Sequence, residues 1–400
     1  MDTRPKSTVP ETAAASSAVP MLDVNRQNQQ LRDQIGAAID EVCQSGAFVH
    51  GPACQEFEAA MAAYCGTKHA VGCASGSDAL LLALMALGVG PGDEVVLPSF
   101  TFFATAGAVW RLGAKPVFAD ILPDTFNLDP AEVERKISGS TKAIIPVHLF
   151  GQCCDMNRLG ELAQANGIPL IEDAAQAIGA EFEGKRAGSL GKLGCFSFYP
   201  TKNLGGFGDG GIITTDDEEV ADSLRVLRDH GQQPRYHHAL VGINSRLDSL
   251  QAAVLSVKLS KLEEWTAGRQ RHAAKYATEF ADLKLAAQLV TPTVPVGYRS
   301  VWNQYTVRVR DGRRGEFQRY LAGRQIGSAV YYPIPLHMQK CFAELGAKRG
   351  SLPVSEQAAE EVLSLPIYAE MTVAEQDCVI RAVAEFFGAE AARDTKQLAA

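Results

Sequence analysis

The chain has 400 residues, a hydrophobic share of 46% and a formal net charge of −8. That balance suits a soluble globular protein with room for a large domain and a smaller one. It argues against a general nucleic-acid binder, which carries a basic face, and no apolar run is long enough to span a bilayer.

The chain opens on residues 1–22, rich in Ala, Ser, Thr and Pro, with no continuous apolar core of the signal-peptide kind. This stretch reads as a flexible N-terminal tail. Short apolar runs then alternate with helix-like stretches from about residue 25 to 265. The strand candidates are "AVGCA" (70–74), "EVVLPS" (94–99), "KPVFADI" (115–121), "KAIIPVHLF" (142–150), "IPLIEDA" (168–174), "GCFSFY" (194–199) and "GIITT" (211–215). Several are apolar on both faces, as buried parallel strands are. Between them, "SDALLLALMALG" and "MNRLGELAQANG" have helical spacing and end near Gly, which suits a C-cap. This order predicts an α/β domain with helices over a mainly parallel sheet, whose ligands gather beyond the carboxyl ends of the strands.

A mostly helical connector follows over 245–280. After about residue 290 the texture turns α+β: "WNQYTVRVR" (302–310) alternates like a half-buried strand, and "RGEFQRYLAGRQIG" (314–327) reads as a helix. The expected organisation is a tail at 1–22, a large domain at 23–265 and a smaller C-terminal domain at 266–400. The nine cysteines are odd in number and scattered, with no Cys-x-x-Cys pair and no metal-ligand spacing. They are read as free thiols, Cys153–Cys154 included, in a reducing, cytoplasmic setting without a bound metal.

Three segments carry chemistry. In "ASGSDALLLAL", small residues leave a strand and open a helix, whose first N–H groups make an anion site. Gly76 permits close approach and Ser77 can donate; Ser77 as a simple helix cap is the plainer alternative. In "IPLIEDAAQA", Glu172 and Asp173 end an apolar run. Neighbours in a strand face opposite ways, so only one carboxylate meets a given site; Gln176 can reach the same place. A helix-capping acid is the alternative here. In "FSFYPTKNLGGFGDGG", Lys202 stands between a strand and five glycines, which leave room for a sharp turn. A lysine so placed can form a Schiff base with an aldehyde. An anion cradle, an acid and a lysine on successive strand ends are the set that pyridoxal 5'-phosphate (PLP) requires for its phosphate, its ring nitrogen and its aldehyde. A dinucleotide fingerprint fails on order, because "GGFGDGG" precedes a strand rather than opening a helix.

At these residues the chain resembles the DegT/StrS-type nucleotide-sugar aminotransferases of PLP fold type I. The likeness also runs through "GPGDEVVLPSFTFFATAGAV", "GAKPVFADI", "VHLFGQCCDM", "GINSRLDSLQAA" and "YYPIPLHMQ". It implies a large domain whose mainly parallel seven-stranded sheet is sandwiched by helices, plus a smaller α+β domain. It implies that Lys202 holds PLP covalently and moves the proton, that Asp173 meets the ring nitrogen, and that Gln176 meets the ring hydroxyl. Gly76, Ser77 and Ser197 match phosphate contacts, and Phe102 matches the aromatic stacked on the ring. Asn244 matches a phosphate contact from a second subunit, which makes the protein a homodimer with shared sites. Tyr199, Tyr331, Tyr332 and His337 are the substrate candidates; a satisfied core histidine is the alternative for His337. His148 and His230 are read as structural. Asp209 stands where the family often has Glu, a variation without an assigned consequence.

The implied reaction moves an amino group from L-glutamate to a keto sugar carried on a nucleotide. Tyr199, where relatives acting on 4-keto sugars tend to have His, points to a 3-keto UDP- or dTDP-hexose or hexuronate. A 4-keto-6-deoxy sugar, or a PLP-binding regulatory protein of the same fold, is the alternative. The lysine at 202 argues against the deoxygenating branch, which has histidine there.

Overall fold

A computed structural model describes residues 18–388. The tail expected at 1–22 therefore lies outside the described residues up to 17, as does the end of the chain from 389. Seven strands build the main sheet: β1 His69–Cys73, β2 Glu94–Pro98, β3 Lys115–Ala119, β4 Thr141–Ile144, β5 Ile171–Asp173, β6 Leu193–Ser197 and β7 Gly211–Thr215. Each falls within, or within a residue of, one of the seven apolar runs in the sequence. Hydrogen bonds order them β3-β2-β4 and β5-β6-β7-β1, and parallel bridges Ile144–Leu170 and Val147–Asp173 join the two groups. All run parallel except β7, which is antiparallel to both β6 and β1.

Alternation along the strands supplies both faces of the core. In β2, Val95 and Leu97 pack on one side of the sheet and Val96 on the other, and all three are fully buried. A sheet covered by helices on both faces demands this doubly apolar pattern. The covering helices start at side-chain caps: Ser75 for α1 (Gly76–Ala86), Asp155 for α2 (Met156–Asn166) and Asp248 for α3 (Ser249–Leu259). Gly167, at φ +65°, ends α2 in the left-handed region that favours glycine.

The helical connector is two helices, α3 and α4 (Leu262–Asp282), separated at Ser260–Lys261. The expected domain boundary falls inside α4, because that helix serves two cores. Its Leu262 packs with the large sheet, while its Tyr276 and Phe280 pack with a second, antiparallel sheet of β8 (Leu289–Val290), β9 (Tyr305–Val309) and β10 (Val362–Leu365). Val19 joins that second core and bridges Ile326. Among the described residues, no helix is long and apolar enough to cross a membrane. All nine cysteines are unpaired, and burial pushes the Cys153 thiol well up.

Candidate active site

The lysine turn follows β6 directly. Its backbone closes on itself: Lys202 N–H donates to the Tyr199 carbonyl at 2.8 Å and Gly206 N–H to the Phe198 carbonyl at 2.8 Å. A Cβ on Gly205 would lie 2.3 Å from the Pro200 carbonyl oxygen, so this glycine is required by close approach. Groups outside the turn pin it. Asn203 Nδ2 donates to the Val301 carbonyl, Lys258 Nζ donates to the Gly205 carbonyl at 2.5 Å, and Gln251 Oε1 accepts from Phe207 N–H. The Lys202 side chain itself stays unbound among the described residues. Burial, partly opposed by Asp173, pushes its amine down to about 8.

At the end of β5, strand alternation sorts the two acids as the sequence requires. Glu172 points away into the core, where it pairs with His148 Nε2 at 2.9 Å and accepts from the N–H groups of Gly188, Leu190 and Gly191. Asp173 faces the lysine. Thr105 Oγ1 donates to its Oδ2 at 2.7 Å and Ala175 N–H to its Oδ1 at 3.3 Å. Burial still raises its pKa. A desolvated carboxylate of this kind favours a cationic partner, and a protonated ring nitrogen is one.

The anion cradle forms where α1 meets β6. Ser75, not Ser77, is the helix cap: its side chain accepts from Asp78 N–H at 3.1 Å. That leaves Ser77 exposed in the first turn, where the N–H groups of Gly76 and Ser77 have no intrahelical acceptor. A Cβ on Gly76 would lie 2.5 Å from Ser197 Cβ, so only glycine lets the helix end approach that serine. Across from the cradle, Gln176 Oε1 accepts from Phe150 N–H at 2.7 Å and its Nε2 donates to the Tyr332 hydroxyl at 3.3 Å. The Phe102 ring is 57% exposed, enough to offer its face to a planar ligand, and it lies 6.2 Å from the Tyr332 ring.

Eleven of the residues singled out in the sequence line one cavity of about 630 Å3: Gly76, Ser77, Phe102, Asp173, Gln176, Ser197, Tyr199, Lys202, Asp209, Tyr331 and Tyr332. The cradle, the acid and the amine all face it, so its residues fit PLP: Gly76, Ser77 and Ser197 at the phosphate, Asp173 at the ring nitrogen, Lys202 at the aldehyde. Two residues stand apart. Asn244 is exposed on a segment whose backbone pairs with Asp229, and it does not line this chain's cavity. His337 is buried, with Nδ1 2.6 Å from Ser99 Oγ and Nε2 3.1 Å from Glu356 Oε1, so both ring nitrogens are already occupied.

Sequence reading missed Gln304, which lines the cavity from the segment entering β9, and Thr105, which holds Asp173. Gln304 sits in a run read only for its alternation. Thr105 lies three residues past Phe102, within a stretch already singled out, but nothing local indicates that its hydroxyl reaches a strand 68 residues away. Thr105→Val removes that bond and leaves the acid less well oriented. We expect about a tenfold fall in kcat with little change in melting temperature, checked by steady-state kinetics beside a thermal scan.

The family model described as the DegT/DnrJ/EryC1/StrS aminotransferase family matches residues 29–384. A protein of Geobacillus stearothermophilus called "Pleiotropic regulatory protein" is 50% identical over 92% of this chain and 98% of its own length. The UDP-2-acetamido-2-deoxy-3-oxo-D-glucuronate aminotransferase of Pseudomonas aeruginosa is 46% identical over 88% of this chain and 95% of its own. Among solved structures, S. venezuelae DesV in complex with a ketimine intermediate superposes with a TM-score of 0.89, at 44% identity, over 92% of this chain and 98% of that one. Further similar structures hold PLP or its amine form.

Proposed function

The chain belongs to the DegT/DnrJ/EryC1/StrS aminotransferase family, and from that premise we propose that it is a PLP-dependent transaminase carrying the amino group of L-glutamate to a 3-keto nucleotide sugar. One observation carries the reading: Lys202, Asp173 and the start of α1 face a single cavity. When bound, PLP supplies an electron sink that eases breaking of the donor's Cα–H bond. Lys202 Nζ takes that proton: burial lowers its amine to about 8, so a larger share is unprotonated than in an ordinary lysine, and its side chain has no hydrogen-bond partner among the described residues. The Asp173 carboxylate, aimed by Thr105, holds a proton at the ring nitrogen. Gly76, Ser77 and Ser197 fix the phosphate by N–H and hydroxyl donors at the positive end of a helix. Phe102 excludes water from one face of the ring, and Tyr199, Tyr331 and Tyr332 line the side where a sugar enters.

The 3-keto position is supported by Tyr199 at the cavity wall and by the names of relatives, among them the 3-oxo-glucuronate enzyme. Asn244, exposed and outside the lining of its own cavity, acts in the site of a second copy, which makes the working unit a homodimer. Its setting is the cytoplasm, where nucleotide sugars are made.

The test is a panel of 3-keto and 4-keto UDP- and dTDP-sugars with L-glutamate, with products identified by mass and NMR. Amination of a 3-keto member is the expected result. Amination of 4-keto members alone moves the substrate, and no turnover, with a cofactor spectrum unmoved by L-glutamate, leaves a regulatory protein. The pH dependence adds a check. Burial holds the Lys202 amine down at about 8, so below that pH the nucleophilic form falls by about tenfold per unit. Covalent uptake of PLP by the cofactor-free protein therefore speeds up as pH rises to about 8 and levels off above it. A stopped-flow absorbance series across pH reads this directly.

A further inference from the structure

We propose that His337 is a positioning residue: a buried chain of hydrogen bonds from Ser99 through His337 to Glu356 aims Tyr331 and Tyr332 into the cavity, without itself touching substrate. The inference rests on the transaminase reading of that cavity.

The chain of bonds has a direction. Ser99 follows β2 immediately. Its carbonyl accepts from Leu336 N–H at 2.7 Å and its Oγ accepts from His337 N–H at 3.2 Å. The Glu356 carboxylate only accepts, which leaves His337 Nδ1 to accept the hydrogen bond of the Ser99 hydroxyl, 2.6 Å away. The ring proton then lies on Nε2, which donates to Glu356 Oε1 at 3.1 Å. Glu356 is held in turn by Gly350 N–H at 2.8 Å. A second tie lies beside the first: Asp120, just past β3, accepts from Val354 N–H, Ser355 N–H and the Ser355 hydroxyl at 2.6–2.9 Å. Ser99, His337, Asp120 and Ser355 are all buried, where such bonds are least open to competition from water.

These ties strap residues 331–356 across the carboxyl ends of β2 and β3. The strap carries the tyrosines. Tyr332 packs its ring 6.1 Å from Phe100 and 6.2 Å from Phe102, and its hydroxyl accepts from Gln176. Phe100 and Phe102 lie within three residues of Ser99, so one polar junction sets both sides of that contact. Pro333 and Pro335 stand between the tyrosines and His337 and limit the play of the link. The histidine thus acts on the site through the tyrosines, which accounts for its place outside the cavity wall.

The test uses Ser99→Ala, which removes the hydroxyl with little change of volume, in the PLP-loaded protein with L-glutamate and a 3-keto UDP-sugar. We expect kcat/KM for the sugar to fall about tenfold. In a Tyr332→Phe background the same change lowers it by less than about twofold, because the hydroxyl being aimed is gone. Equal losses in both backgrounds, or none in either, overturn the proposal. Hydrogen exchange of the cofactor-free protein gives a readout that needs no turnover: the peptide over 331–338 exchanges about tenfold faster in Ser99→Ala while β6 is unchanged. Unchanged exchange in that peptide also overturns it. A wild type that does not transaminate sinks the transaminase reading alone, since the exchange result stands apart from it. His337→Gln, which keeps an amide toward Glu356 but loses Ser99, carries the same comparison if Ser99→Ala does not fold.

Discussion

Lys202→Ala is expected to leave a folded protein that binds PLP without a covalent bond and turns over about 10^4-fold more slowly than the wild type. The size follows from the site. Lys202 is the sole lysine, arginine or histidine lining the cavity among the described residues, so no neighbouring amine stands ready to bond the aldehyde in its place. Burial lowers its amine to about 8, which suits it both to bond an aldehyde and to carry a proton. The fold itself loses little. The turn is held by backbone bonds and by Asn203, Lys258 and Gln251, none of which involves the Lys202 side chain. Single-turnover absorbance with L-glutamate measures the effect, beside a melting curve. Turnover within tenfold of the wild type would remove Lys202 from the chemistry.

Asp173→Asn is expected to lower kcat by about 10^3-fold with a small change in the KM for L-glutamate. The amide keeps the shape of the acid and, turned so that its one oxygen replaces Oδ2, can still accept from Thr105, while the bond from Ala175 N–H is lost. It cannot keep a positive charge on the ring nitrogen, so the ring withdraws electrons less strongly once the Cα proton leaves. The loss therefore falls on the transition state rather than on binding. A cofactor analogue methylated at the ring nitrogen carries that charge permanently and should restore a large part of the rate. Failure of the analogue to restore any activity would assign Asp173 a different part in the site.

Much of this site was legible in the sequence because its parts are local. A strand that ends in Glu172–Asp173 must send one acid each way, and a glycine-rich turn after β6 leaves room around one lysine. The seven strands of the large sheet showed for a similar reason: burial on both faces leaves few residues but apolar ones. What stayed hidden is what depends on distant chain meeting. The sequence around His337 marks it as near the substrate, yet its ring is set by Ser99, 238 residues earlier, and by Glu356. Thr105 and Gln304 gave no local signal of their partners or place. Strand β10 lies within "EEVLSLP", a short run continuous with a helix, and its role as a sheet member rests on pairing with β9. The division of the helical connector escaped notice because Ser260 and Lys261 are ordinary helix residues, and tertiary packing decides the break.

The antiparallel β7 has a consequence for how the protein is made. Among the described residues, β1 bonds to no other strand of the sheet: His69 faces Thr215 and Cys73 faces Gly211. On the ribosome, β1 emerges roughly 140 residues before its partner, a separation that marks a slow, non-local pairing. At about 5–20 residues per second, that delay lasts on the order of 10–30 s. Until it ends, β1, which leads into the helix start that seats the phosphate, lacks its hydrogen-bonded partner. Lys202 leaves the ribosome before the strand that brings its phosphate site into place. Capture of the vitamin-derived cofactor by a newly made chain is thus expected to follow β7 and to report a finished sheet.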